Sequence, residues 1–274
     1  MRRILGVHGI GNYSYYRDNN KSVELATAAI SARWAGAINT ASTEQFDVSV
    51  AYYSHHLRRG QPQSVADVNL LDEGEQDLLV LWVDQLNRVS SVSQGSRTIR
   101  ARQAADWLSR RFGPPARLFA LMFCREVHAY LRHRDSPRRI AAREAVQEAI
   151  RKYRPEVIIA HSLGSVIAYE ALHSEPNSEV DLFMTVGSPL AMPSVVLPRL
   201  YTEMNGNIRE RPSNTRSWVN LADVGDIVAV PSSGLSGSFS GVQCDLPVTI
   251  GEWDFHTSEA YLRCPEVRAQ LRLF

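Results

Sequence analysis

Residues 157–164 read Val157-Ile158-Ile159-Ala160-His161-Ser162-Leu163-Gly164. A run of β-branched residues is followed at once by a serine near small residues, and then by an Ala- and Val-rich segment. This order predicts a strand that turns sharply into a helix, with Ser162 at the turn. The small residues are a steric requirement, because side chains two positions either side of the serine would collide in so tight a turn. Strain there pushes the hydroxyl outward, so Ser162 is expected to be a nucleophile and the chain a serine hydrolase. Chance supplies such a five-residue pattern about 0.2 times in a chain of this length. The surrounding sequence therefore has to provide a base, an acid and an oxyanion hole.

On both sides of this stretch, strand and helix patterns alternate. A strand over 3–7 ends in His8-Gly9-Ile10-Gly11, and two glycines in four residues mark a sharp turn. Val23, Ala26, Ile30 and Trp34 fall at helical spacing and predict a helix over 21–38. A second strand is expected over 46–53 and a helix over 137–153. The helix that starts after Ser162 runs to about residue 173. A strand over 182–186 ends in Gly187-Ser188-Pro189, and a short helix is expected over 195–204. The strand over 217–221 runs into Ala222-Asp223-Val224-Gly225-Asp226. The Gly/Ser-rich stretch 232–241 reads as an exposed loop. A last strand over 247–250 leads to His256 and a C-terminal helix. Strands alternating with helices predict an α/β protein with a parallel sheet covered on both faces.

Residues 57–135 break the alternation. Three helices are expected there, over 73–89, 98–111 and 116–132, with Gly113-Pro114-Pro115 separating the last two. Leu79, Trp82, Leu86 and Val89 mark one apolar face of the first. The expected organisation is thus a core made of 1–56 and 136–274, with a helical cap or lid inserted at 57–135.

The chain has 274 residues, 44% hydrophobic and 22% charged, with a formal net charge of +1. That balance suits a sizeable globular core and gives no support for nucleic-acid binding. Arginines gather between Arg97 and Arg154 and read first as solvated helical faces, with a membrane-surface or anionic-substrate role as the sharper alternative. Cys124, Cys244 and Cys264 are widely spaced, without metal-ligand spacing or a disulfide framework. The apolar run after Arg2-Arg3 is too short for a signal peptide, and no stretch reaches transmembrane length. A cytoplasmic chain without cofactor or metal is the expectation.

A serine hydroxyl needs a base to take its proton and a carboxylate to orient that base. In open α/β sheets such groups collect at the carboxyl ends of strands. His256 follows the last strand, in Glu252-Trp253-Asp254-Phe255-His256-Thr257. His173 is the other downstream histidine, but it lies about three turns along the helix that Ser162 begins. Asp223 and Asp226 both follow one strand. Asp226 is favoured because the apolar Ile227-Val228-Ala229-Val230 would pack beneath its carboxylate, leaving Asp223 to bond loop backbone. Two backbone N–H groups, of Ile10 and Leu163, are the expected oxyanion donors, with Gly9 and Gly11 the sensitive neighbours. The order oxyanion loop, Ser, Asp, His is that of α/β-hydrolases and differs from chymotrypsin and subtilisin.

At these residues the chain resembles α/β-hydrolases of the lipase and esterase type. Val7-His8-Gly9-Ile10-Gly11 is similar to the oxyanion loop of small bacterial lipases and of the GPI-inositol-deacylase-like group. Ala160-His161-Ser162-Leu163-Gly164-Ser165 is similar to their elbow, and Gly187-Ser188-Pro189-Leu190 to the segment after the next strand. Asp226-Ile227-Val228 is similar to their acid loop, and His256 with Tyr261 to their histidine loop. Ala160 replaces the first elbow glycine, the antiparallel edge strands of larger members are missing, and the insertion resembles nothing named. The resemblance implies catalytic roles for Ser162, Asp226 and His256, with Ile10 as first oxyanion donor. The expected activity is hydrolysis of a small or lipid-like acyl ester through an acyl-enzyme. The alternatives are a thioesterase, acyltransferase or peptidase with the same residues, or a non-catalytic binding protein. Trp82, Trp107, Phe119 and Phe123 of the insertion either line an acyl pocket or pack the cap onto the core.

Overall fold

A computed structural model describes residues 1–40, 44–58, 67–86, 96–202, 208–231, 233–251 and 256–274. The strands are β1 (Arg3–Val7), β2 (Asp47–Ala51), β3 (Val157–His161), β4 (Val180–Val186), β5 (Arg209–Glu210), β6 (Thr215–Asp223), β7 (Phe239–Ser240) and β8 (Cys244–Val248). The helices are α1 (Tyr13–Asp18), α2 (Val23–Asn39), α3 (Ser54–Leu57), α4 (Glu73–Leu86), α5 (Arg97–Phe112), α6 (Pro114–Leu131), α7 (Pro137–Tyr153), α8 (Leu163–His173), α9 (Ser258–Leu262) and α10 (Pro265–Leu273).

Six strands form one sheet in the order β2-β1-β3-β4-β6-β8. Every pairing in it is parallel. Parallel sheets need apolar residues on both faces, and alternate residues here serve two separate cores. Leu5, Ile158, Phe183 and Trp218 point to one side, into the core shared with α4 to α8. Ile4, Ile159, Met184 and Val219 point to the other, where Trp34 and Ile30 of α2 and Val267 of α10 cover them. The chain leaves β1 toward β2 on one side and returns to β3 on the other. Loops after β1 and β3 therefore part in opposite directions, and a crevice opens at their carboxyl ends.

Local chemistry sets the helix starts that matter for this arrangement. Ser22 caps α2 by accepting the Leu25 N–H at 3.2 Å. Ser136 caps α7 in the same way through Arg139 N–H, with Pro137 in the first turn. Asp72 and Glu75 exchange backbone bonds at the start of α4, Glu75 N–H to Asp72 Oδ1 at 2.8 Å and Asp72 N–H to Glu75 Oε2 at 2.9 Å. Helices α4, α5 and α6 of the insertion pack directly onto the core. Trp82 and Phe123 are fully buried in the cluster that also contains Leu5, Leu163 and Phe183. Trp82 Nε1–H donates to the Ile227 carbonyl at 2.8 Å.

Three local expectations change. No α-helix covers the described part of 195–204: only a single 3-10 turn, Leu197–Arg199, forms. The buried Val195, Val196 and Leu200 are used for packing rather than for an amphipathic helix face. The stretch 233–241 is not a bare loop, because Phe239–Ser240 pairs with Arg209–Glu210 and both Leu235 and Phe239 are buried. The last sheet strand lies earlier than expected, at Cys244–Val248. Residues 87–89, 203, 204 and 232 of the expected elements lie outside the described residues. Among the described residues, Cys124, Cys244 and Cys264 are free, and no helix is long and apolar enough to cross a membrane.

Candidate active site

Four strand ends bring the singled-out residues together. Ser162 stands between β3 and α8 with φ 55° and ψ −133°, a positive-φ conformation that costs an L residue free energy unless its surroundings impose it. The impositions are visible. Ser162 N–H donates to the Val186 carbonyl at the end of β4, at 3.2 Å. On the other side, a Cβ built on Gly164 would lie 2.3 Å from the carbonyl oxygens of both Val7 and His8. The glycine is required because the start of α8 rests against the end of β1. Leu163, the first residue of α8, is buried directly after the serine.

The loop after β1 is held by its carbonyls. Asn12 Nδ2 donates to Gly9 O and Ile10 O, both at 3.0 Å. Tyr53 Oη donates to His8 O, and His8 Nδ1 meets Gly9 O at 2.7 Å. The His8 ring stacks on Tyr53 with centroids 4.2 Å apart. Burial brings the His8 imidazole down to about 4, so it is neutral with Nδ1–H as donor. None of the hydrogen bonds found in this loop engages the Ile10 N–H.

Asp226, after β6, meets His256: Nδ1 of the imidazole lies 2.7 Å from Asp226 Oδ2, and both side chains are buried. The same Oδ2 accepts Tyr261 Oη–H at 2.6 Å, while Oδ1 accepts the Val228 N–H at 2.8 Å. Burial and the adjacent carboxylate push the Tyr261 phenol up, which keeps it a donor. Asp223 has a different set of partners. It accepts Gly225 N–H at 2.6 Å and Ile250 N–H at 2.8 Å, and its own N–H donates to Tyr261 Oη at 3.0 Å. Gly187, at φ +55°, is wedged beside the pair. A Cβ there would come within 2.9 Å of Asp226 Oδ2 and 3.1 Å of His256 Cε1.

Ser162 and His256 thus flank the same Val186-Gly187 corner. Ser162 Oγ and His256 Nε2 are both buried, and neither has a hydrogen-bond partner among the described residues. Buried polar atoms are nearly always paired, so these two unpaired atoms call for a functional explanation. His161 places its ring 4.6 Å from that of His256, and burial together with His256 holds it well below the usual histidine range. Above His256 lies Phe119 of α6, edge-on at 5.2 Å. His173, by contrast, is tied to the Glu210 carbonyl at 3.2 Å at the far end of α8.

The chain matches no protein-family model, no curated protein and no solved structure.

Sequence reasoning did not single out His161, Gly187 or Glu126 for a role in this site. The only signals for them are a histidine inside the elbow motif, a glycine at a strand end and an isolated acid on an apolar helix face. Away from the site, Asp72, Glu75 and His128 bring potential metal-ligand atoms within 4.8 Å of one another. Their two carboxylates are already used to cap α4, which accounts for the cluster without an ion.

Proposed function

We propose that the chain is a serine hydrolase of acyl esters, with an α/β-hydrolase type of core and Ser162, His256 and Asp226 as its catalytic residues. The observation that carries this reading is the buried Asp226–His256 pair at 2.7 Å, set across Gly187 from a positive-φ serine whose hydroxyl has no partner among the described residues. In this reading Ser162 Oγ attacks the ester carbonyl carbon while His256 Nε2 takes its proton. Asp226 keeps the imidazole proton on Nδ1 and stabilises the imidazolium that forms. The carbonyl oxygen becomes an oxyanion and is met by the N–H groups of Ile10 and Leu163, the latter at a helix N-terminus. His256 then returns the proton to the leaving alcohol, and the tetrahedral intermediate collapses to the acyl-enzyme. A water molecule, activated by His256 in the same way, releases the acid. Phe119 supplies an apolar wall at the histidine, which suits an acyl chain better than a charged group.

A fluorophosphonate probe tests this directly. Wild-type protein labels covalently and hydrolyses p-nitrophenyl butyrate, whereas Ser162→Ala does neither. Labelling that persists in Ser162→Ala would remove Ser162 as nucleophile.

A further inference from the structure

Helix α6 crosses the candidate site with one face. Phe119, Met122 and Glu126 follow at i, i+3 and i+7, so they stand along one line. Phe119 lies against His256 at 5.2 Å. The Met122 methyl is 3.5 Å from where a Cβ on Gly11 would be. Glu126 Oε1 accepts the Gly11 N–H at 3.0 Å. Glu126 is only 1% exposed, and Oε2 has no hydrogen-bond partner among the described residues. Burial pushes this carboxyl up to about 7, and the single bond from Gly11 only partly offsets that. A carboxyl taken out of water for one backbone N–H is a costly arrangement, and an apolar residue there would pack more cheaply.

Planar trans peptides explain what that bond can do. In each peptide unit the C=O and the N–H point in opposite directions. The Gly9–Ile10 unit is held by its carbonyl through Asn12 and His8, which sets the direction of the Ile10 N–H. The Ile10–Gly11 unit is held at both ends, its carbonyl by Asn12 and its N–H by Glu126. Among the hydrogen bonds found in this loop, Glu126 alone accepts the N–H of a loop glycine and alone comes from α6. We propose that Glu126 is a positioning residue. It fixes the second peptide unit so that the Ile10 N–H stays aimed at the oxyanion, and it ties that donor to the helix that rests on His256. This rests on the serine-hydrolase reading above.

The test uses the full chain with p-nitrophenyl butyrate and an alkyl trifluoromethyl ketone, whose hemiketal adduct with the serine hydroxyl carries the oxyanion. Glu126→Ala is expected to lower kcat by about tenfold to a hundredfold with KM within about twofold, and to weaken the ketone by the same factor. Glu126→Gln keeps an acceptor for Gly11 N–H and recovers most of that loss. Glu126→Asp withdraws the carboxylate by one methylene and behaves like the alanine variant, so it decides the matter should Glu126→Ala fail to fold. Wild-type kcat and ketone affinity in the Ala or Asp variant would overturn the proposal, as would a loss confined to KM. Fluorophosphonate labelling of the wild type is the control. If the wild type neither labels nor hydrolyses, the nucleophile assignment fails and this proposal falls with it.

Discussion

Asp223 and Asp226 leave the same strand end, and their hydrogen bonds give them different tasks. Asp226 faces His256 and Tyr261, whereas Asp223 holds Gly225 and Ile250 backbone in place. Asn at 226 would present an amide N–H to His256 Nδ1 and favour the wrong tautomer. Asp226→Asn is therefore expected to lower kcat about a thousandfold or more, and Asp223→Asn no more than about tenfold. Steady-state kinetics on the two variants checks this, and equal losses would count against Asp226 as the acid. The preference for Asp226 is drawn from the apolar Ile227, Val228 and Ala229 that follow it, and all three are buried. Nothing in local sequence shows that Tyr261 donates to this same carboxylate from 35 residues away.

At the scale of elements, α8 is the piece on which the site depends. Every residue from Leu163 to Leu172 is buried, with α8 packed between the sheet and α7. Its bounds, like those of α7, follow from short-range signals: the elbow pattern before it and Ser136-Pro137 before α7. The missing helix in the described part, 195–202, shows the limit of such signals, since the buried Val195, Val196 and Leu200 go to tertiary packing. Gly164 makes the point quantitatively. In an ordinary helix Gly→Ala gains about 1 kcal/mol. Here the new methyl would meet two backbone carbonyls at 2.3 Å, and neither can step aside alone. Gly164→Ala is therefore expected to destabilise the protein by about 3 kcal/mol in urea unfolding. A neutral or stabilising effect would mean that α8 does not abut β1 as described.

Across the whole molecule, two buried groups around the β1 loop act on stability with opposite pH slopes. His8 is lowered to about 4 from 6.5, so the unfolded chain binds more protons between those values and stability falls as pH drops through that window. Glu126 is raised to about 7 from 4.5, so the folded chain binds more protons and stability falls as pH rises from 4.5 to 7. Relative to wild type, Glu126→Gln should thus gain roughly 2.5 kcal/mol more at pH 8 than at pH 5. Urea unfolding at both pH values checks this, and a pH-independent difference would contradict a raised carboxyl. The amino-acid sequence by itself determined where most of the central strands end and which residues follow them: Ile10, Ser162 and Asp226 each come within a few residues of an apolar run, and periodicity and turn residues are local properties. Which of those ends become neighbours was decided only by the tertiary structure. The order β2-β1-β3-β4-β6-β8 and its parallel register set Gly187 against His256, Tyr261 on Asp226 and Glu126 under Gly11. These contacts join residues far apart in the chain. They depend on crossovers and on helix packing across a sheet edge, which leave no period in the sequence to read.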